Sequence, residues 1–328
     1  MIAAAAGHGS GILRTIGDDC AVVEKGDGRV WLLTMDTLVE AVHFNPDWHP
    51  PELLGRKTVS VNVSDVAAMG GEPRFLLLSL ALPPEAGGDW VSGFVAGFTG
   101  ACREYGCLLV GGDTVASPAG ITLSVTAIGE TAADRVLYRS GARPGDTVWV
   151  SGPLGLAAAG LDLFRAGLAG KEEILRPLLD AHLDPRARVG LGRRLAASGL
   201  VHAMMDLSDG LATDLAHICS QAAVGARVRA DRLPLHPGLA RAAELLGRGP
   251  VHWMVSGGED FELLFTTAAD DAAAVEELAG ASGHRVYAVG RIVEEEGVVL
   301  VSPGPGGQKE EQDISFRGYE HFSARGKD

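Results

Sequence analysis

Trp90, Phe94, Phe98 and Cys102 recur at intervals of four, with Val91 and Val95 alongside. That spacing is the apolar stripe of an amphipathic helix. Residues 51–69 also suit a helix, although Val59, Val61 and Val63 alternate with the period of a strand. Short apolar runs at Trp31–Met35, Leu108–Val110, Ile121–Ile128 and Thr147–Val150 read as strands. Further helices are expected near 154–168, 186–198 and 211–222. Between the two halves, Tyr138–Asp146 is polar and rich in turn formers. A domain boundary is placed there, giving 1–138 and 139–328. Pro303–Gln308 is a Gly/Pro-rich turn, either a hairpin loop or a surface excursion. No period of 20–50 residues recurs, which excludes a solenoid. Helices and strands alternating on both sides of the boundary make the fold class α/β.

Composition narrows the functional classes. The chain has 328 residues, 46% of them hydrophobic, enough for one large core or two medium ones. Its net charge is −14 and it holds few lysines. With no Lys/Arg run to neutralise phosphates, general nucleic-acid binding is excluded. Cys20, Cys102, Cys107 and Cys219 form no Cys-x-x-Cys pair and lack histidines at zinc spacing. Buried free thiols in a reducing compartment are the simplest account. The N-terminus lacks a basic segment followed by a long apolar run, and no stretch approaches the roughly 20 apolar residues a bilayer span needs. A cytoplasmic protein with no membrane partner is the expectation.

The candidate chemistry lies in the acids. Gly17-Asp18-Asp19, Thr34-Met35-Asp36, Asn62-Val63-Ser64-Asp65, Gly111-Gly112-Asp113-Thr114, Asp206-Leu207-Ser208-Asp209-Gly210 and Gly257-Gly258-Glu259-Asp260 mostly follow apolar runs. They are read as strand-end loops, where α/β proteins gather functional side chains. Carboxylates that converge repel unless a cation sits among them, and magnesium prefers oxygen ligands together with substrate phosphates. Each motif alone could equally be a turn or a helix cap. Together they point to a multi-carboxylate divalent-metal site that handles phosphates. The P-loop pattern is absent, since Gly170-Lys171 is followed by Glu172. The protein-kinase motifs, the dinucleotide glycine fingerprint and the Gly-x-Ser-x-Gly elbow are absent as well.

These motifs, in this order, resemble the thiamine-monophosphate kinase family, within the superfamily that includes aminoimidazole ribonucleotide synthetase. The resemblance runs from about Ile16 to Phe322. It is carried by Ile16–Ala21, Thr34–Leu38, Val42–Phe44, Val61–Gly70, Gly111–Thr114, Arg139–Asp146, Asp206–Leu211, Ser256–Leu263 and Gly318–Phe322. It implies two α/β domains of the superfamily fold, with the N-terminal domains pairing into a homodimer through a shared barrel and an active site in the cleft between domains. It implies several Mg²⁺ ions bridging ATP and thiamine monophosphate, and direct in-line transfer that yields thiamine diphosphate. On the same resemblance the metal ligands are Asp19, Thr34, Met35, Asp36, Asp65, Asp113, Asp206 and Asp209. The nucleotide contacts are Gly112, Asp113, Arg139 and Ser208, and the substrate contacts are His43, Glu259 and Tyr319. Asp113, Arg139 and Asp209 carry the catalytic roles.

Two features depart from the family pattern. Residues 1–15 are short and Ala/Gly-rich where relatives carry a Gly-Glu-x-x-Leu-Ile segment, and Met35 stands where a threonine is frequent. Met35 could serve through its backbone carbonyl but not through a hydroxyl. The alternatives are another enzyme of the superfamily, such as aminoimidazole ribonucleotide synthetase, or a nucleotide-binding protein without turnover. The contexts of His43, Glu259 and Tyr319 favour the thiamine substrate over the first, and the intact acidic set argues against the second.

Overall fold

The computed structural model describes residues 7, 9–304, 306 and 308–319. The Glu320–Phe322 part of the last motif, His8 of the glycine-rich start, and Pro305 and Gly307 of the Gly/Pro turn lie outside the described residues. Contacts divide the chain into two units. The first takes the chain up to Tyr138 together with Leu183–Gly199; the second takes Arg139–His182 and the chain from Leu200 onward.

The first unit is built on a six-stranded sheet. In chain order its strands are β1 (Ile12–Arg14), β2 (Ala21–Gly26), β3 (Arg29–Val39), β4 (Glu72–Leu82), β5 (Leu108–Ala116) and β6 (Thr122–Ala132). Their spatial order is β1-β2-β3-β6-β4-β5. Only the β4–β5 pair is parallel. On β6, Leu123, Val125 and Ala127 are buried while their neighbours are partly exposed, the period-2 pattern of a sheet covered on one face. Helices α1 (Pro51–Ala68) and α2 (Gly88–Tyr105) pack on each other, and α1 lies against β6, β3 and β4.

The valine alternation in α1 therefore does not mark a strand. Pro51 occupies the first helical turn, where its fixed φ suits helix initiation. Val59, Val61 and Val63 are all buried because α1 is enclosed on nearly every side, together with Lys57, Ser60, Asn62 and Ser64. A helix so enclosed needs no amphipathic stripe. Its contact with α2 is close: a Cβ on Gly97 would fall 1.8 Å from the Glu52 carbonyl. The periodic face of α2 behaves as expected, with Phe94, Phe98 and Cys102 buried.

Helix α4 (Arg176–Leu183) ends where the chain rejoins the first unit, and α5 (Val189–Ser198) packs on α1. Arg56 Nε donates to both carboxylate oxygens of Asp184, at 2.9 and 3.0 Å, and the His49 ring meets the Leu183 carbonyl at 3.0 Å. Leu191 and Leu195 are buried beneath α5.

The second unit carries β7 (Thr147–Val150), β8 (Val201–Asp206), β9 (Gly225–Arg229), β10 (Leu263–Thr267), β11 (Tyr287–Val293), β12 (Gly297–Pro303) and β13 (Lys309–Asp313). They form a seven-stranded sheet in the order β13-β12-β9-β11-β7-β10-β8. Its helices are α3 (Leu156–Arg165), α4, α6 (Leu211–Ala222), α7 (Pro237–Leu246), α8 (Pro250–Ser256) and α9 (Ala272–Gly280). One core unites Val148, Val150, Leu163, Leu178, Met205, Leu215 and Trp253. Both units are mixed α/β. The Gly/Pro-rich turn joins β12 to β13, whose ends pair Pro303 with Lys309. Among the described residues no helix is long and apolar enough to cross a membrane.

Most of the acids do not sit at strand ends. Asp206 ends β8, but Asp36 and Asp113 lie inside β3 and β5, Asp65 lies near the end of α1, and Asp19 precedes β2. The strands continue through the acids because they are longer than their apolar runs.

Candidate active site

In the first unit, strand alternation and helix periodicity converge on one spot. Thr34 and Asp36 lie two apart on β3 and so share a face; Asn62 and Asp65 lie three apart on α1 and share another. The Thr34 hydroxyl donates to Asp65 Oδ2 at 2.5 Å, and the Asp36 backbone N–H donates to Asn62 Oδ1 at 3.0 Å. Asn62 Nδ2 in turn donates to the Thr58 carbonyl at 2.9 Å, which fixes the amide. A carboxylate oxygen of buried Asp19 lies within 4.8 Å of one from Asp65. Two acids this close repel, and a cation between them turns the repulsion into attraction. Every side-chain donor here is oxygen, the set that suits magnesium rather than a soft metal.

Met35 points the other way. It lies between Thr34 and Asp36 on the same strand, so its side chain takes the opposite face, where it is 64% exposed. Any ligand it supplies is its main-chain carbonyl. His43, in the turn after β3, accepts from the Val39 N–H through Nδ1 at 3.0 Å. Its carbonyl faces Nζ of Lys57, a fully buried lysine on α1, at 3.4 Å.

Gly112 and Asp113 are not brought to this cluster within one chain. Strand register aligns Asp36 with Val125, Val125 with Leu78, and Leu78 with Gly112. Three inter-strand steps of about 4.8 Å put β5 on the order of 14 Å from β3. Asp113 is exposed on that edge strand, and its Oδ1 accepts from the Thr114 N–H at 2.9 Å.

In the second unit the Asp206–Gly210 loop is the hub. It runs from the end of β8 to the start of α6, and two other segments are tied to it by backbone bonds. The Glu259 N–H donates to the Ser208 carbonyl at 2.8 Å, and the Tyr319 N–H donates to the Asp209 carbonyl at 2.9 Å. Gly318 N–H donates to Thr213 Oγ1 at 2.8 Å, and a Cβ at Gly318 would come within 2.3 Å of the Asp209 carbonyl. Only glycine allows that docking. Arg139, in a 3₁₀ turn over Arg139–Gly141, packs beside α6 and β8. Thus Arg139, Asp206, Ser208, Asp209, Glu259 and Tyr319 come together.

Glu259 and Phe261 have φ of 66° and 50°, left-handed values that cost non-glycine residues energy and cluster at functional loops. Glu259 also faces buried His182, with Nδ1 to Oε2 at 3.4 Å.

Three titratable groups to which the sequence assigns no role shape this loop, although Asp260 stands in one of the acidic motifs. Asp214, buried on α6, accepts from the N–H groups of Asp209 and Gly210 at 3.2 and 3.0 Å. Burial first, and then the charges of Asp209 and Asp206, push its carboxyl well above the ordinary range. Burial, and next the Arg139 charge, hold His217 below its ordinary value, while Asp209 pulls it back up. Asp260 reaches α3, where Oδ2 accepts from Gly155 N–H at 2.6 Å and Oδ1 from Ala157 N–H at 3.4 Å. Burial pushes it up to about 7 despite those bonds. The available signal for Asp214 was an acid flanked by Leu211, Ala212, Leu215 and Ala216 in the first turns of a helix, five residues after Asp209.

The chain matches two family models, AIR synthase related protein, N-terminal domain, over residues 17–131, and its C-terminal domain over residues 143–302. It is 36% identical to the thiamine-monophosphate kinase of Salmonella typhimurium, over 94% of this chain and 91% of the relative. A solved structure described as AaThiL complexed with AMPPCP and TMP superposes with a TM-score of 0.79 at 38% identity, covering 87% of each chain. The thiamine-monophosphate kinase of Stenotrophomonas maltophilia K279a gives a TM-score of 0.78 at 40% identity, over 89% of this chain and 91% of that one.

Proposed function

The chain belongs to the thiamine-monophosphate kinase family, and on that footing we propose how its residues divide the work of moving a phosphoryl group from ATP to thiamine monophosphate. Asp19, Thr34, Asp36, Asp65, Asp113, Asp206 and Asp209, with the Met35 main-chain carbonyl, hold magnesium ions. When bound, these ions neutralise the charge of the transferring group. Gly112, Arg139 and Ser208 contact the nucleotide; His43, Glu259 and Tyr319 contact thiamine monophosphate. The supporting observation is the convergence of oxygen donors from β3, α1 and the approach to β2, all in one unit.

The acceptor is already an anion, so no strong base is required. The barrier is repulsion between two phosphates. The Arg139 guanidinium opposes that repulsion, and its planar fork suits phosphate oxygens. The Asp209–Ser208 backbone orients Tyr319 and Glu259 through the bonds described above. Tyr319 offers an aromatic face to a cationic ring, and Glu259 offers an acceptor to an amino group on the substrate.

The working form is a homodimer joined through β5. That edge strand leaves Leu108, Leu109, Val110 and Val115 exposed, with Leu77 beside them on β4. A long apolar edge calls for a partner. The cysteines are buried free thiols, which suits a reducing cytoplasm.

The test is direct. The protein is incubated with ATP, Mg²⁺ and thiamine monophosphate, and thiamine diphosphate is followed by chromatography. Product is expected, none in EDTA, and almost none from Asp113→Ala despite an unchanged circular dichroism spectrum. Failure with thiamine monophosphate but turnover of formylglycinamidine ribonucleotide would replace this reading with the synthetase one.

A further inference from the structure

At the opposite end of the first unit's sheet lies a cavity of about 490 Å³. Arg29 opens β3, Glu72 opens β4 and Glu130 nears the end of β6, and all three line it. Asp36 lies seven residues along β3 from Arg29, roughly 23 Å away at 3.3 Å per residue. The acids described above are not part of this cavity.

Its far wall is one face of α5. Gly190, Arg193, Arg194 and Ala197 line the cavity, at i, i+3, i+4 and i+7, which places them on one side of the helix. The other side, with Leu191, Leu195 and Ala196, is buried. Arg135 completes the lining from the segment after β6.

The charge balance is the informative feature. Glu130 is buried at the base and takes Lys25, Arg29 and Arg74; Glu72 takes Arg74 and Arg193. Those cations hold the Glu130 carboxyl below the usual carboxylate range, chiefly through Lys25. Arg135 and Arg194 form no side-chain ion pair or hydrogen bond among the described residues. Four arginines therefore line the cavity against two carboxylates, with which Lys25 and Arg74, not themselves among the lining residues, also pair, in a chain whose net charge is −14. The carboxylates keep several guanidinium groups aimed, and two more remain to be satisfied. Guanidinium forks match phosphate oxygens in pairs.

We propose that this cavity binds the diphosphate group of a small molecule, with arginine rather than metal supplying the counter-charge. The source is either free pyrophosphate or the diphosphate arm of a larger compound such as a nucleotide or a cofactor. Because no carboxylate-held cation is needed, binding persists in EDTA. That separates this site from the magnesium-dependent one proposed above.

The experiment uses the full chain in EDTA, titrated calorimetrically with inorganic pyrophosphate, ADP and thiamine diphosphate, with sulfate as control. One site per chain is expected. Arg135→Ala/Arg194→Ala should weaken it at least about tenfold, a change of 1.4 kcal/mol, and added KCl should weaken it further. Kinase turnover with magnesium should stay at the wild-type level in that variant. Pyrophosphate binding as tightly as ADP identifies the free anion as sufficient; tighter ADP or thiamine diphosphate identifies the larger source. Absence of binding, equal binding in the double variant, sulfate binding as tightly, or loss in Asp65→Asn instead would each overturn the proposal.

Discussion

Asp260 offers a prediction that the structure makes quantitative. It caps α3 from a distant loop, because Gly155 at the N-cap has no side chain to do so. Its carboxyl rises from an ordinary value near 3.9 to about 7 on folding, driven first by burial. The folded form therefore holds its proton more tightly than the unfolded form. Below pH 4 both states are protonated and the group contributes nothing to pH dependence. As pH rises from 4 to 7 the unfolded chain loses the proton first, so stability falls until the native carboxyl ionises too. Three pKa steps at 1.36 kcal/mol each set an upper limit of about 4 kcal/mol. In Asp260→Asn this slope should vanish while an amide oxygen still caps Gly155. Urea unfolding at pH 4.5 and pH 8 should show the variant gaining about 2–4 kcal/mol on the wild type between the two. A difference that stays flat with pH, with unchanged m-values, would refute the reasoning. In Asp260→Ala the helix end loses its acceptor, and about 1–2 kcal/mol should be lost even at low pH.

Asp65→Asn should raise the magnesium concentration for half-maximal turnover by about 10–100-fold, because it removes a charge at the Thr34–Asp65 contact; titration of initial rates against Mg²⁺ reads this. Gly97→Ala forces a Cβ against the Glu52 carbonyl and should lower unfolding stability by about 1–3 kcal/mol, seen in the urea midpoint. Leu109→Glu on β5 should turn a dimer into a monomer in light scattering, since it puts charge on the apolar edge.

Local pattern identified the elements that local forces dictate. The stripe from Trp90 to Cys102 is α2, and residues 211–222 form α6. Pattern misplaced the acids because it reads an apolar run and not its continuation. Asp36 sits inside an eleven-residue strand that runs on past its first apolar segment and stays paired with β6 as far as Val39. The valines of α1 could not be decided locally, since an enclosed helix shows no periodic face. The meeting of Asp19 with Asp65, or of Asp209 with Tyr319, depends on pairings far apart in sequence, and only the order of the motifs hinted at them. Asp214 escaped notice, and Asp260, though noted in its motif, received no role of its own, because both act through backbone bonds to Gly210 and Gly155.

The return of Leu183–Gly199 to the first unit has a consequence for biosynthesis. When Tyr138 leaves the ribosome, the surface of α1 that α5 will cover is still bare. The first unit cannot close until some sixty further residues have been made, most of them destined for the second unit. The first half is then not an independent module: a fragment cut after Tyr138 should emerge with an uncovered greasy flank and precipitate. Engineers wishing to shuffle these halves between relatives would have to carry α5 along with the first.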